Sequence, residues 1–482
     1  MVLLISVVTG FVFTIIVTRQ LTQDEFGLWS LIGSLLLYVM IFDSISTYWV
    51  TRHVARNERA SVTALSTNGM FSVLATVIYI VMIFFISNST KTDYNILLLS
   101  SILIPLSYLN NSMRGIILGF RTQGIGYGTL IFEFTKIPAG LFLVYLLHLG
   151  LAGAIISTAI AQVVQLIFYS YYIKDKLKEK LHIPYIKKWL RLSWLPTMRY
   201  SPLWIVSLDA TVFAVFVGSV TSLAIFGAAK TISNVIGYSK SISSALYPKL
   251  LSERKGEYIE LMIKRTLFFT IPLTGMSIIF AKPSLWILNP IYVSGILVVY
   301  VWIIIQFVYV FQDIFQDSLL GLERIDINPD SRFKDYIKSR LFSVPVLFAI
   351  VNGSYVISFV IVLIISPIVG ISQLGILFWG GIAGIITHTP QAAILWKWTA
   401  KSVSFRFPYK NISKYSVTTI ISVILTYVFM LQYLSYEKSI FTFIPHLIPF
   451  LLLFCASYFS IIYVLDRETR LFFGTILKEF SK

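Results

Sequence analysis

The sequence predicts an all-α integral membrane protein, and two observations support that prediction. Of the 482 residues, 57% are hydrophobic and only 13% are charged, a composition outside the range of soluble globular chains. The apolar residues form continuous runs of about 20, the length of helix that crosses a bilayer core. Strands of a membrane barrel are about half as long and alternate in polarity, so these runs favour helices.

Polar breaks divide the chain into about fourteen runs of this kind. The predicted spans are residues 1–18, 26–50, 66–87, 95–119, 127–147, 150–172, 202–219, 222–248, 264–281, 295–321, 345–366, 372–396, 415–432 and 443–464. The polar stretch "TRQLTQDEFG" at 18–27 is then a short turn between the first two spans.

The basic residues lie on one side of this predicted topology. Alternate loops, helix ends and the C-terminal tail on that side hold 32 of the 39 Lys and Arg residues, and the opposite loops hold four. Because basic loops stay in the cytoplasm, we expect a multi-pass plasma membrane protein with both termini cytoplasmic. The net charge of +17 is therefore attributed to topology and membrane lipid, and no nucleic-acid partner is expected.

Two pairs of similar segments indicate an internal repeat. "QDEFGLWSL" at 23–31 is echoed by "TSLAIFGAAKT" at 221–231, and "LGLAGAIIST" at 149–158 by "LGILFWGGIAG" at 374–384. The echoes follow or open spans at matching positions of the topology, which is typical of transporters. The predicted organisation is an N-terminal six-helix lobe (1–172), a basic cytoplasmic linker (173–201), a pseudo-symmetric C-terminal six-helix lobe (202–396), and two additional helices with a cytoplasmic tail (397–482).

Ionisable residues inside the predicted spans are the first candidates for function. Each costs about 2.5 to 3.5 kcal/mol at a helix centre unless it faces water or a partner, so we expect them to line an interior. They are Asp43, Arg114, Glu133, Lys136, Asp209, Lys230, Lys240, Asp313 and Asp317.

The eighth span carries a polar stripe. At 100° per residue its polar and small side chains fall within an arc about 120° wide. The stripe comprises Lys230, Ser233, Asn234, Gly237, Lys240, Ser241 and Ser244. It fits either a cavity wall that binds a phosphate and sugar hydroxyls, or a small-residue packing face with snorkelling lysines. The substrate-binding candidates are Lys136, Lys230, Asn234, Lys240 and Ser241.

Acidic residues provide a second group of candidates. In the tenth span Gln306, Tyr309, Asp313 and Asp317 share one face, where the carboxylates could bind a cation, a proton or sugar hydroxyls. Alternatively, they pair with lysines of other spans or approach the membrane interface. Glu133 and Lys136 are three residues apart and could form only a salt bridge. The ion-coupling or sugar-binding candidates are Glu133, Asp209, Asp313 and Asp317.

Enzyme chemistry finds little support in the sequence. Cys455 is the single cysteine, and the five histidines show no metal-ligand spacing. No nucleophile elbow or phosphate-binding loop is present, and the outward loops are too short to hold a donor and an acceptor. We therefore expect no enzyme activity, no cofactor and no metal.

Several segments resemble polysaccharide transporters, the oligosaccharide flippases of the multidrug/oligosaccharidyl-lipid/polysaccharide exporter superfamily. They are "TRQLTQDEFGLWSL" (18–31), "FDSISTYWVTRHVAR" (42–56), "SLDATVFAVFVGSVTSLAIFGAAKTI" (207–232), "ALYPKLLSE" (245–253) and "WILNPIYVSG" (286–295). The resemblance covers about residues 1–465 and implies two six-helix bundles around a central cavity. It also places Asp209 where the family often carries a carboxylate. The loop at 323–340 is longer than is usual in the family.

The resemblance implies a flippase that moves lipid-linked oligosaccharide or polysaccharide precursors to the outer leaflet by alternating access. Its expected partners are a lipid-linked glycan, membrane lipid, an ion (proton or sodium) and glycan-assembly enzymes. Two alternatives remain: a multidrug or metabolite antiporter of the same fold, and a membrane glycosyltransferase or polymerase. Basic residues in the spans favour an anionic lipid over cationic drugs, which prefer carboxylates and aromatic rings.

Overall fold

The computed structural model is helical throughout the part of the chain that it describes. It describes residues 2–121, 123–240, 250, 255–323, 325, 333–466 and 469–470. Every regular element within these ranges is a helix, which confirms the all-α prediction. Ser241 and Ser244 of the predicted stripe lie outside the described residues.

Nineteen α-helices follow one another along the described residues. The first eleven are α1 (Val2–Gln20), α2 (Gln23–Val39), α3 (Asp43–Ala55), α4 (Ser61–Thr90), α5 (Tyr94–Ser100), α6 (Leu103–Phe120), α7 (Gln123–Gly140), α8 (Gly150–Tyr172), α9 (Ile183–Arg191), α10 (Trp194–Val217) and α11 (Thr221–Gly237). The others are α12 (Gly256–Ile279), α13 (Ala281–Leu288), α14 (Ile296–Leu322), α15 (Phe333–Lys338), α16 (Arg340–Val369), α17 (Gln373–Ser402), α18 (Tyr409–Tyr433) and α19 (Ile440–Leu465).

The helices account for a multi-pass membrane protein. Among the described residues, ten helical segments are long and apolar enough to cross a bilayer, and the bent pair α2–α3 would be an eleventh. Helices α1, α11 and α17 occupy the other three predicted positions. The count of fourteen spans stays a prediction.

Several predicted spans are broken helices. The segment 26–50 is two helices that meet at a bend of 61°. The segment 127–147 changes from α-helix to a π-helical turn at Leu141–Leu146, shortly after Pro138, which has no N–H to donate within the helix. The segment 222–248 changes at Gly237 to a 3₁₀ turn, Tyr238–Lys240. The α-helical register of the predicted stripe therefore ends before Lys240.

The polar turn at 18–27 is a helix cap. Thr22 accepts a hydrogen bond from the Glu25 backbone, and the Glu25 side chain accepts one from the Thr22 backbone, so α2 begins with a capping box. Glu25 also accepts a hydrogen bond from the backbone N–H of Leu151 at 3.2 Å. The cap therefore ties the beginning of α2 to the beginning of α8.

The chain forms two compact units. Unit 1 comprises Met1–Gly227 and Phe348–Ile376, and unit 2 comprises Ala228–Leu347 and Leu377–Lys482. Each unit is thus built from two separate stretches of the chain. The predicted lobe boundaries remain a prediction.

Within unit 1, the two echoed segments contact each other through glycines. A Cβ on Gly27 would lie 1.9 Å from the carbonyl oxygen of Val220, and a Cβ on Gly227 would lie 2.2 Å from Oγ of Ser30. Neither position has room for a side chain. Thr221 also donates a hydrogen bond to Asp24 across the same contact.

A second cluster in unit 1 attaches the linker helix α9 to the helices α3 and α4. Trp189 of α9 is fully buried in an apolar cluster with Val50 and Val54 of α3 and Ala64 of α4. In unit 2, α12 packs against α18 and α19, where the hydroxyl of Tyr458 donates a 2.9 Å hydrogen bond to the Phe268 carbonyl.

Candidate functional site

Lys230 lies on α11 in the part of that helix that belongs to unit 2. Its ammonium nitrogen is 4.9 Å from the centre of the Trp302 ring of α14, which is the geometry of a cation–π contact. The lysine is half-buried and Trp302 is buried. Asn234, one turn further along α11, is exposed. Lys230 is thus in contact with the aromatic face of a buried tryptophan on a neighbouring helix.

The polar face predicted for α14 contacts α11 and the 3₁₀ turn that follows α11, Tyr238–Lys240. A Cβ on Gly237 would lie 2.5 Å from Nε2 of Gln306, so the glycine leaves space for the amide. The Asp313 carboxylate is 3.8 Å from the Lys240 ammonium. Asp317 follows one turn later and interacts electrostatically with Asp313. The structure therefore brings together two of the predicted binding residues, Lys240 and Asp313.

This Lys240–Asp313 pair is open to its surroundings. The Lys240 side chain is 57% exposed and that of Asp313 is 32% exposed. The 3₁₀ turn that carries Lys240 is itself anchored, because Ser239 is buried and its hydroxyl is 2.8 Å from that of Thr270. The backbone at Lys240 is therefore fixed, while its exposed ammonium is able to leave Asp313 for another anionic group.

Sequence reasoning missed a buried polar cluster at His388 of α17. Gln312 donates hydrogen bonds to the His388 carbonyl at 2.7 Å and to Oε1 of Gln391 at 3.0 Å. Nδ1 of His388 is 3.3 Å from the same Oε1, and the Tyr309 hydroxyl is 3.4 Å from Nε2. Because Oε1 can only accept, Nδ1 donates and Nε2 accepts from Tyr309. The presence of Tyr309 on the predicted polar face was the available signal.

In unit 1, Glu133 and Lys136 lie on the side of α7 that faces α1. Glu133 is buried and hydrogen-bonds to Thr9, while its Oε2 contacts no donor among the described residues. The Lys136 ammonium is 4.1 Å from the Phe13 ring centre and 5.3 Å from that of Phe132. Lys136 therefore rests on aromatic faces, as Lys230 does in unit 2.

Asp209 is completely buried in unit 1. Its Oδ2 accepts a 3.2 Å hydrogen bond from the Tyr355 hydroxyl, and its Oδ1 accepts one from the backbone N–H of Ala210 at 2.6 Å. Nearby, Asn352 donates a 2.8 Å hydrogen bond to the Pro202 carbonyl. These contacts join α10 to α16, which comes much later in the chain.

Asp43 occupies the bend between α2 and α3. Its carboxylate accepts hydrogen bonds from Thr47 at 3.0 Å, from Asn68 at 2.7 Å and from Asn111 at 2.9 Å. Asn68 also contacts Ser112, at 2.6 Å. The network links α3, α4 and α6, so Asp43 connects three helices at the bend.

Solved membrane transporters share this fold. Lipid II flippase MurJ in an inward closed conformation aligns with a TM-score of 0.68 at 15% sequence identity, covering 97% of this chain and 98% of that one. An inward-facing multidrug resistance MATE family transporter of the MOP superfamily aligns with a TM-score of 0.60 at 15% identity, covering 83% and 94%. The MATE multidrug transporter DinF-BH gives 0.56 at 16% identity, covering 81% and 93%.

Sequence comparison identifies the family. No curated protein sequence matches the chain. Residues 1–252, just over half of the chain, match the family described as polysaccharide biosynthesis protein. Together with the shared fold, this match confirms the resemblance found in the sequence motifs. The chain therefore belongs to the polysaccharide biosynthesis protein family.

Proposed function

We propose that the protein is a membrane flippase that moves lipid-linked oligosaccharide or polysaccharide precursors from the cytoplasmic to the outer leaflet by alternating access. The observation that carries this proposal is Lys230, a half-buried ammonium in contact with the ring of the buried Trp302. A lipid-linked glycan carries a phosphate, which cannot cross hydrocarbon without a compensating charge. Lys230 supplies that charge.

The strengths of the contacts favour Lys230 as the first phosphate ligand. A cation–π contact contributes about 0.5–1 kcal/mol at exposed sites and about 2 kcal/mol when desolvated. Charge-assisted hydrogen bonds to phosphate are roughly twice as strong as neutral ones, so a phosphate competes well with the ring. Lys240 must first separate from Asp313, its partner at 3.8 Å. It therefore suits a later position in the transfer of the headgroup.

The remaining binding candidates have supporting roles in the proposal. Asn234, exposed one turn from Lys230, offers an amide to sugar hydroxyls. Ser241 continues the polar sequence after Lys240. Lys136, in unit 1, is a further cation within a predicted span and contacts the Phe13 ring.

Four carboxylates are proposed for ion coupling or sugar binding. Glu133 is the strongest candidate for a proton or sodium ion, because its Oε2 meets no donor among the described residues. Asp313 and Asp317 are better placed to release Lys240 to the substrate. Asp209 accepts a hydrogen bond from the Tyr355 hydroxyl and is completely buried, which favours a structural role for it over rapid binding and release of an ion.

The proposal includes a topology and partners. Both termini and the linker lie in the cytoplasm, and the protein works with enzymes that assemble the glycan on the inner leaflet. A multidrug or metabolite antiporter is the second candidate, supported by the fold shared with MATE transporters. A membrane glycosyltransferase or polymerase is the third, and it would convert a labelled lipid-linked sugar where the other two would not.

Reconstitution in liposomes with a fluorescent lipid-linked oligosaccharide tests the proposal. The wild-type protein should expose the sugar to a membrane-impermeant reagent on the opposite side. Lys230→Ala should abolish this movement, because the phosphate loses its ligand, and Lys230→Arg should retain part of it. The same vesicles, assayed for efflux of a cationic dye, would reveal a drug antiporter.

Lys282→Ala is the matched control. This exposed lysine also lies over an aromatic ring, 4.8 Å from the centre of Tyr436, but it belongs to the short helix α13, outside the predicted spans. We expect Lys282→Ala to transport like the wild type. A Lys230→Ala protein that moves the glycan as fast as the wild type would show that the polar stripe serves packing alone.

A further inference from the structure

The linker helix α9 has three strips of different chemistry. At 100° per residue, its side chains divide into an inward strip, an exposed apolar strip and an exposed basic strip that follow one another around the helix. Ile183 and Leu190 of the apolar strip are 58% and 48% exposed. The inward strip is Tyr185, Ile186 and Trp189, and the basic strip is Lys187, Lys188 and Arg191.

The inward strip determines how the other two are oriented. Nε1 of the buried Trp189 donates a 3.2 Å hydrogen bond to Nε2 of His53, and the Tyr185 hydroxyl donates one to Glu58 at 3.3 Å. The Tyr185 and Trp189 rings stack with their centres 6.1 Å apart. Because α9 cannot rotate without breaking these contacts, its apolar and basic strips are held facing away from His53 and Glu58.

The chain places α9 close to the membrane. Only two residues separate Arg191 from Trp194, where α10 begins, and α10 contains the membrane span Pro196–Val217. At about 3.5 Å per residue, Arg191 lies within roughly 10 Å of that helix. Apolar side chains beside a row of basic ones, at this depth, are typical of a helix lying in a bilayer interface.

We propose that α9 lies on the bilayer surface and binds anionic phospholipid headgroups. Ile183 and Leu190 enter the boundary between headgroups and acyl chains, and the basic strip contacts lipid phosphates. The charge complements the negative surface of a leaflet that contains anionic lipid. This lipid contact is independent of the transported molecule and holds whether or not the protein moves a glycan.

Spin labelling of the full-length protein tests the depth of α9. In a Cys455→Ala background, a nitroxide on Ile183→Cys reports accessibility to oxygen, which partitions into lipid, and to a water-soluble nickel chelate. In vesicles of phosphatidylcholine with phosphatidylglycerol, we expect the label to favour oxygen several-fold over one on Asp175→Cys, an exposed position of the same linker. Equal nickel accessibility at both positions would overturn the proposal, and it is the result expected if α9 is instead a docking site for a soluble protein that the vesicles lack.

Charge variants test the headgroup contact. Lys187→Gln combined with Arg191→Gln should reduce the immersion of the Ile183 label in anionic vesicles to its value in pure phosphatidylcholine. The control is Lys178→Gln combined with Lys180→Gln, an equal loss of charge at exposed linker positions before α9. It should leave the immersion unchanged. An equal loss with both pairs would overturn the assignment of lipid binding to the basic strip.

Discussion

At the residue scale, the lysines of the spans differ in the partner that holds them. Lys136 and Lys230 rest on aromatic rings, whereas Lys240 faces the carboxylate of Asp313. An aromatic face satisfies an ammonium without neutralising its positive potential, and Lys136 also interacts electrostatically with Glu133. An ion pair removes that potential until the partners separate.

Glu58 provides a pH-dependent contact at the attachment of α9. The hydrogen bond from His53 lowers the pKa of the Glu58 carboxyl below its usual value of 4.5, and Tyr185 adds to the effect. A lowered pKa in the folded state means that the contact stabilises the attachment fully above pH 4.5 and is lost as the pH falls through the lowered pKa. Hydrogen exchange of residues 183–191 should therefore show weaker protection in acid.

The comparison with Glu58→Gln isolates this contact. The variant lacks the carboxylate, so hydrogen exchange of α9 should be less protected in the variant than in the wild type at neutral pH. In acid the wild type loses its contact, so the two proteins should show similar protection. Asp175→Asn, which changes an exposed carboxylate in the same linker, should exchange like the wild type at each pH. A constant difference between Glu58→Gln and the wild type at all pH values would contradict the prediction.

Some site residues could be predicted from the sequence and others could not. The shared polar face of Asp313 and Gln306 is predictable because the 3.6-residue period of one helix places them on the same side. His388 was passed over because its partners Tyr309 and Gln312 lie on another helix, nearly 80 residues earlier. Contacts between helices that are distant in sequence depend on tertiary packing, and the periodicity of the sequence does not show which helices pack together.

At the element scale, the close approach of Val220 to Gly27 of α2 explains why this position of the echoed segment is a glycine. Gly27→Ala would place its Cβ 1.9 Å from the Val220 carbonyl oxygen and force the helix to move. Such overpacking costs typically about 1–3 kcal/mol, so the midpoint of thermal unfolding in detergent should fall. The prediction concerns stability and needs no transport assay.

Gly33→Ala is the control within the same helix. A Cβ at Gly33 meets nothing within 4 Å, and alanine favours a helix over glycine by about 1 kcal/mol. Its unfolding midpoint should stay unchanged or rise. If both substitutions had the same effect, the contact between the echoed segments would not be the reason for the glycine.

Helix breaks are the elements that the sequence predicted least well. The bend between α2 and α3 and the 3₁₀ turn after Gly237 lie inside the segments 26–50 and 222–248, each of which is predicted as one continuous span. Both breaks are supported by side chains from other helices, through Asp43 at the bend and Ser239 in the turn. Helix existence follows from local hydrophobicity, whereas helix shape follows from these distant partners.

At the scale of the whole molecule, the charge distribution predicts which surface faces the cytoplasm. In a Cys455→Ala background, Lys91→Cys after α4 should react with a membrane-impermeant maleimide in intact cells. Lys180→Cys in the linker should react only after permeabilisation. Both side chains are exposed, so each site is accessible to the reagent on its own side. The opposite labelling pattern would reverse the topology.

A disulfide between the echoed segments would test whether alternating access separates them. A Cβ at position 227 would lie 3.3 Å from that of Ser30, close to the range of about 3.5–4.5 Å found in disulfides. We expect Ser30→Cys with Gly227→Cys, without Cys455, to cross-link under mild oxidation. Glycan movement should stop on oxidation and return on reduction.

Ser30→Cys alone is the control and should transport under both conditions. A cross-linked protein with full transport would rule out separation of these segments as a step of the cycle. Failure to cross-link would contradict the contact itself.

The discontinuity of unit 1 sets an order of events during synthesis. Asp209 receives its hydroxyl donor, Tyr355, from the stretch Phe348–Ile376, which follows the 120 residues of Ala228–Leu347. At about 5–20 residues per second, the ribosome needs roughly 6 to 24 s to translate that interval. For this time the earlier helices of the unit are at the membrane without the helix that completes it. Until α16 arrives, the inserted intermediate lacks the hydrogen bond from the Tyr355 hydroxyl to Oδ2 of Asp209.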